Sequence, residues 1–363
     1  MEDLKPKPVK GYLPTIDGWR ALAILLVVGA HTSNGIFAPG GTSENELWYS
    51  ITRYGAYGVD IFFGISGFLI CSRLLEEYEA HRKISLKGFY IRRVCRIVPP
   101  YALFVLVCAM LGLCGLIALT RVELLTSITF TRNFAHYEEA SDAWFTAHLW
   151  SLAVEEHFYL LWPGLLVFWS PPKAKVKVFI VIALLSIWRS ISFKYQLMFD
   201  FGFYHRTDIR LDSLLWGCWF ALVARDPLWR ERFRHYLGGI YWWVACAIFV
   251  LLLIFPVPFA MTWIAIVIPA LITGTVLNPD GLPGKVFELA PLRWVGRISY
   301  SLYIWQNLFL LPVGVEAKLG NLQSMPFNVL ASFAAATLCY YLIERPMIKL
   351  GHKLAPPTTP GRA

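Results

Sequence analysis

The sequence predicts an all-α polytopic membrane protein: a bundle of about ten transmembrane helices with both termini cytoplasmic. Three observations lead there. Of the 363 residues, 57% are hydrophobic and 16% charged, where a soluble domain carries about a quarter charged residues; the mean hydropathy is +0.53. Apolar runs long enough to cross a hydrocarbon layer recur from one end of the chain to the other, roughly at 21–38, 57–75, 98–119, 148–170, 176–195, 207–224, 238–255, 259–277, 298–315 and 326–344. Lysine and arginine crowd alternate connections. The N-terminal tail, the connections near 76–97, 171–175, 225–237 and 278–297, and the C-terminal tail take about 25 of the 33, and the rest of the chain about 8. That asymmetry marks the cytoplasmic side. It also accounts for the net charge of +9 without a nucleic-acid partner, because the charge follows topology.

The chain reads as a single membrane domain over 1–363, with a disordered Pro/Gly-rich tail from about 351. The first run is read as a retained span rather than a cleaved signal, since it carries Arg20 and His31 and no small-x-small site follows. The seven cysteines show no metal-type spacing and none falls in a predicted external loop, so they read as small helix residues and no disulfide framework is expected. Pro256 and Pro258 predict a tight external turn.

Arg20 and His31 are eleven residues apart, so a helix brings both to one face about 16 Å apart, with Arg20 at one surface and His31 near the bilayer midplane. An ionisable group at that depth is costly and marks function. In the second run, Gly64 and Gly67 allow close helix approach; Asp60 lies near the outer surface and Ser66 deeper. Arg92, Arg93 and Arg96 stand just before the third run. Their planar forks suit phosphate, and as cytoplasmic charges they also suit anionic lipid. In the fourth run Glu155 and Glu156 enter from outside to a depth comparable with His31, followed by His157. A carboxylate there is able to hold an imidazole in one tautomer and support it as a base. Arg206, Asp208, Arg210 and Asp212 open the sixth run as two i, i+4 pairs, which either neutralise one another or face an external substrate. In the ninth, Tyr300, Tyr303 and Asn307 form a polar stripe behind Arg297, and Gln306 reaches near-midplane depth.

Together these segments resemble the acyltransferase 3 family of integral membrane, acyl-CoA-dependent O-acyltransferases. The resemblance rests on Asp17-Gly-Trp-Arg-Ala21 with His31; Tyr57-Gly-Val-Asp-Ile-Phe-Phe63 running into Ser66-Gly-Phe-Leu-Ile70; Arg92-Arg93 with Arg96, Ile97 and Pro99; Trp150-Ser-Leu-Ala-Val-Glu-Glu156; Arg206 with Asp208; and Ser299-Tyr-Ser-Leu-Tyr303. Two departures from the family pattern are His157, where many relatives have Gln, and Gln306, where many have His. The resemblance implies an O-acyltransferase of the cell (cytoplasmic or inner) membrane. It would take an acyl group, acetyl above all, from cytoplasmic acyl-CoA to a hydroxyl of an extracytoplasmic carbohydrate or glycoconjugate. The family's essential Arg and His map onto Arg20 and His31. No soluble esterase-like domain follows in this sequence, so transfer is expected to be completed within the membrane.

On this reading His31, oriented by Glu155 or Glu156, deprotonates the acceptor hydroxyl, and Arg20 completes the catalytic set. Arg92, Arg93, Arg96 and Arg297 hold the acyl-CoA co-substrate. Asp60, Ser66, Arg206, Asp208, Arg210 and Tyr303 contact the acceptor. No metal and no permanently bound cofactor is called for; membrane lipid and acyl-CoA are the other partners. The rival is a multi-pass transporter or flippase that uses the same buried groups as a translocation path.

Overall fold

The computed structural model describes residues 12–36, 53–135, 143–197, 203–255, 257–312, 315 and 317–356. Among these residues the chain is helical and forms no strand; a single antiparallel bridge joins Ile117 to Ala317. The helices are α1 (Pro14–Ile36), α2 (Gly58–His81), α3 (Leu86–Leu113), α4 (Arg121–Ile128), α5 (Leu149–Trp169), α6 (Pro171–Lys194), α7 (Thr207–Val223), α8 (Pro227–Tyr236), α9 (Gly239–Ile254), α10 (Ala260–Leu277), α11 (Ala290–Phe309), α12 (Phe327–Cys339) and α13 (Arg345–Leu354), with short turns between them.

A helix overlaps each of the ten apolar runs. Five helical segments are long and apolar enough to cross a membrane, or six if the bent pair α8 and α9, at 71°, is one span. The five are α2, α3, α6, α10 and the continuous segment from α12 to α13. The helices that fall short carry polar side chains in their interiors: Asp17, Arg20 and His31 on α1, Glu155 to His157 on α5, Asp208 to Asp212 on α7, Ser299, Ser301, Gln306 and Asn307 on α11. Those groups lower the mean hydropathy where a protein neighbour, not lipid, covers them.

The same effect shifts several boundaries. Helix α1 starts at Pro14 rather than 21, α3 at Leu86 rather than 98, and α11 at Ala290 rather than 298. The added turns are polar, so apolar runs miss them, yet local signals are present. Pro14 and Pro291 sit in first turns, where a missing N–H costs nothing, and Ser85 caps α3 by accepting from the Gly88 N–H. Arg92, Arg93 and Arg96 therefore lie within α3, not in a connection before it. Pro99 and Pro100 are internal to that helix. Helix α12 continues through a π turn, Tyr340–Glu344, into α13, so residues 351–354 of the expected disordered tail are helical and 357–363 lie outside the described residues. Pro256 does too; the turn is made at Pro258 and Phe259, with the Ala260 N–H bonded to the Val257 oxygen at 3.2 Å.

Lipid offers helices no hydrophobic reason to associate, so close approach and hydrogen bonding must hold them. At the crossing of α2 with α7, a Cβ on Gly67 would stand 1.8 Å from the Leu214 oxygen, and one on Gly217 would stand 2.5 Å from the Gly64 oxygen. Gly64 and Gly67 thus serve the packing role expected of them. At the crossing of α1 with α11, a Cβ on Gly296 would stand 1.8 Å from the Asp17 oxygen. Trp19 anchors the same end of α1, stacking on Phe287 at 4.4 Å and donating to Thr275 at 2.8 Å. Helices α6 and α9 are peripheral: Phe179, Ile180 and Leu184, and Ile240, Val244 and Leu251, are exposed, as lipid-facing residues would be.

Candidate active site

Five helices, α1, α2, α3, α5 and α11, wall one cavity. Its polar lining is Arg20, Ser66, Arg93, Arg96, Ser151, Glu155, Glu156, Tyr159, Tyr300 and Tyr303, and Phe62, Phe63, Ile65, Leu69, Ile70, Ile97 and Leu152 close the remainder. Arg20 faces into this cavity and is not at a surface, because α1 begins two turns before it. Glu155 is held from both sides: Ser66 Oγ donates to Oε1 at 3.0 Å and the Tyr159 hydroxyl to Oε2 at 2.8 Å. The Arg93 guanidinium lies over the Tyr159 ring, 5.2 Å from its centroid. Tyr300 donates to the Ile97 oxygen at 2.9 Å. Three arginines and two adjacent carboxylates thus share one enclosure.

A further buried carboxylate, outside that lining, gave little signal in the sequence. Glu344, in the π turn between α12 and α13, is fully buried, accepts from Ser301 Oγ at 2.7 Å, and lies within the electrostatic reach of Arg20 and Arg96. Its signal was faint: Glu344-Arg345 closes the last apolar run and reads as a span end.

His31 lies outside this cavity, in a second cluster of buried polar side chains, the His31 chamber, nearer the opposite end of α1. It lies five residues before the end of that helix, whereas Arg20 is six residues from its start. Its neighbours are Trp144, edge-on at 5.0 Å, the Gln306 and Asn307 amides, and the His148 imidazole. Glu155 and Glu156, expected to orient His31, are instead gathered around Ser66, Tyr159 and Arg93. Helical rise explains the separation. His148 begins α5, so Glu155 is seven residues, about 10 Å, farther along that helix. The chambers meet at Tyr303, which lines the first and whose hydroxyl donates to the His148 main-chain oxygen at 2.8 Å while Ser151 Oγ stands 2.6 Å from it.

Other expected site residues are engaged elsewhere. Arg92 turns away from Arg93 and Arg96, paired with Glu77 at 3.6 Å and donating to the Ala355 oxygen at 3.2 Å. Helical spacing allows Arg96 either neighbour, i, i+3 or i, i+4; the rotation of α3 puts Arg93 and Arg96 in the cavity and turns Arg92 to Glu77. Arg297 is exposed and outside the cavity lining. Asp60 and Arg210 are buried against one another at 2.8 Å, with the guanidinium over Phe63 and Trp150. Arg206 pairs with Asp208 at 3.0 Å, and Arg189 donates to Asp212 at 2.8 Å. This cluster neutralises itself and braces the cavity wall through Phe63. His157 faces Thr207 at 2.7 Å and stacks on Phe134, away from both chambers.

A family model described as an acyltransferase domain, Acyl_transf_3, matches residues 13–345. The chain belongs to the acyltransferase 3 family. Among relatives of this acyltransferase 3 chain are the peptidoglycan O-acetyltransferase OatA of Listeria monocytogenes, 31% identical over 94% of this chain and 56% of that protein, and the O-acetyltransferase OatA of Staphylococcus aureus, 29% identical over 94% and 58%. The chain spans about half the length of the curated relatives it matches. No solved structure matches it. The family segments carrying Arg20 and His31, Ser66, Arg93 and Arg96, Glu155 and Glu156, and Tyr303 lie on α1, α2, α3, α5 and α11, the five helices that wall the cavity.

Proposed function

We propose that this chain is a ten-span O-acetyltransferase of the cell membrane, both termini cytoplasmic, that moves acetyl from cytoplasmic acetyl-CoA to a hydroxyl of an extracytoplasmic carbohydrate, peptidoglycan by analogy with its relatives. The observation that carries this reading is the pairing of a cationic chamber with a neutral, histidine-centred one along the same helices. Arg20, Arg93 and Arg96 hold the anionic part of the donor, since guanidinium forks match phosphate oxygens. The roughly 16 Å from Arg20 to His31 along α1 suits an extended pantetheine arm. His31 takes the proton of the acceptor hydroxyl as its oxygen attacks the thioester carbonyl. The new carbon–oxygen bond forms, the carbon–sulfur bond breaks, and the proton passes from His31 to the departing CoA thiolate. Glu155, braced by Ser66 and Tyr159, and Glu344 balance the arginines so that the chamber accepts a polyanion without trapping it.

Purified protein in nanodiscs, given radiolabelled acetyl-CoA and peptidoglycan fragments, should form an alkali-labile glycan ester. Failure to transfer or hydrolyse acetyl-CoA would overturn the reading and favour a transport path. Reporters at Arg82, Arg232 and Lys353 should read cytoplasmic. Reporters at Gly40 and Glu138, both outside the described residues, should read external; a cytoplasmic signal at Glu138 would reverse the assumed acyl route.

A further inference from the structure

Around His31 several buried polar atoms have no well-aligned hydrogen bond among the described residues: His31 Nδ1, His148 Nδ1, Gln306 Nε2 and Oε1, and Asn307 Oδ1, although the Gln306 and Asn307 amides stand within hydrogen-bonding range of the imidazole. Gln306 is fully buried, and Asn307 and His148 are 1% and 5% exposed. Interiors leave few such groups unpaired, and each one needs an explanation. Here they converge from three helices on one imidazole.

The partners that are made fix what remains. His148 Nε2 lies 3.0 Å from the Ile304 oxygen. A carbonyl only accepts, so the proton is on Nε2 and Nδ1 is left as an acceptor. Asn307 Nδ2 donates to the Trp144 oxygen at 3.0 Å, which fixes the amide and leaves its Oδ1 as an acceptor. Trp144 is itself pinned, its Nε1 donating to the Asn307 and Leu310 oxygens at 3.0 Å. Gln306 presents both a free acceptor and a free donor. The cluster therefore offers at least three acceptors against the one amide donor group of Gln306, and an aromatic wall of Trp144; Arg132, the cation that acts on His148, is itself paired with Glu123 at 3.6 Å.

We infer that Gln306, Asn307 and His148 form a binding site for the hydroxyls of a neutral sugar, placing one of them on His31. An acceptor-rich cluster whose nearby cation is already paired suits a ligand that brings O–H donors. It does not suit phosphate or carboxylate, which bring only acceptors and belong in the arginine chamber. The Gln306 amide, with donor and acceptor side by side, matches two neighbouring polar groups on a sugar ring, and Trp144 offers an apolar face to ring carbons. The role of these residues as an acceptor site rests on the acyl-transfer reading; the binding itself does not.

The test is equilibrium binding of chitotetraose, a soluble N-acetylglucosamine oligomer, to the full chain in nanodiscs, read without turnover and beside acetyl-CoA binding. Gln306→Leu removes donor and acceptor together and should weaken chitotetraose binding about tenfold or more, the effect of one or two lost hydrogen bonds, with acetyl-CoA affinity unchanged. Gln306→Glu keeps the volume, loses the amide donor and should weaken it similarly; it serves if the leucine variant does not fold. Equal glycan affinity in wild type and variants, no saturable glycan binding by the wild type, or an equal loss of acetyl-CoA affinity would overturn the site. Gln306-dependent glycan binding in a protein that transfers no acetyl would sink the enzyme reading and leave the site standing. Transfer with no Gln306 dependence would do the reverse.

Discussion

The Tyr303 hydroxyl donates to the main-chain oxygen of His148 at 2.8 Å, across the boundary between the arginine chamber and the His31 chamber. Ser151 Oγ, 2.6 Å away, is then the donor to Tyr303. One phenol thus ties α11 to the start of α5 and sets how the two chambers meet. Tyr303→Phe should lower acetyl transfer by about tenfold or more while costing only about 0.5–1.5 kcal/mol of stability for one lost hydrogen bond, since the His148 carbonyl still accepts from Ser151. Specific activity per folded molecule, compared with thermal unfolding, separates the two. A variant equally stable and equally active would show that this bond sets nothing.

His31→Gln should abolish transfer with little loss of folded protein. Glutamine hydrogen-bonds but takes up no proton, and a general base contributes about 10²–10⁴ in rate. His157→Gln should be mild, since His157 faces Thr207 outside both chambers. A dead His157→Gln beside an active His31→Gln would move the chemistry off α1.

The arginines should divide by the face they occupy. Arg93→Glu and Arg96→Glu should weaken acetyl-CoA binding more than they lower the maximal rate, because phosphate contacts position the donor. Arg92→Glu should leave donor affinity near wild type and instead reduce folded yield, as it puts like charge beside Glu77 and frees the Ala355 carbonyl. Donor titration of the three variants decides it; a uniform loss of affinity would return Arg92 to the donor site.

Arg210→Ala should act on stability and not on substrate selection. It leaves Asp60 buried without its partner, a loss of about 3–5 kcal/mol. Replacing both members by apolar residues of similar size should recover much of the folded yield. An Arg210→Ala protein that folds normally yet has a raised acceptor KM would reinstate the expected acceptor contact.

Gly217→Val should abolish accumulation of folded protein, because its Cβ would meet the Gly64 oxygen at 2.5 Å and the Phe68 nitrogen at 2.7 Å. Gly164→Ala should be tolerated or stabilise α5 by about 0.5–1 kcal/mol, since nothing lies within 4 Å of its Cβ position. Thermal unfolding of the pair checks this; a stable Gly217→Val would mean that α2 and α7 slide apart at little cost.

The helical class, a helix at each apolar run, the packing glycines and the ionisable residues worth attention were legible in the sequence, because apolar runs and residue type are local properties. The sequence placed helix starts late wherever the first turns are polar, as at Pro14, Leu86 and Ala290. It also treated Arg92, Arg93 and Arg96 as one group and paired His31 with Glu155. Only the tertiary structure decided those matters. Which of three neighbouring arginines faces a cavity depends on the rotation of α3 against α1 and α11. Whether His31 meets a carboxylate or an amide depends on the relative heights of α1, α5 and α11. Helical periodicity fixes faces within one helix; the offset between helices is set by side-chain packing, by the Gly67, Gly217 and Gly296 crossings, and by bonds such as Tyr303 to His148. The same reason hid Glu344, whose bond to Ser301 exists only once the last helical segment has packed against α3 and α11.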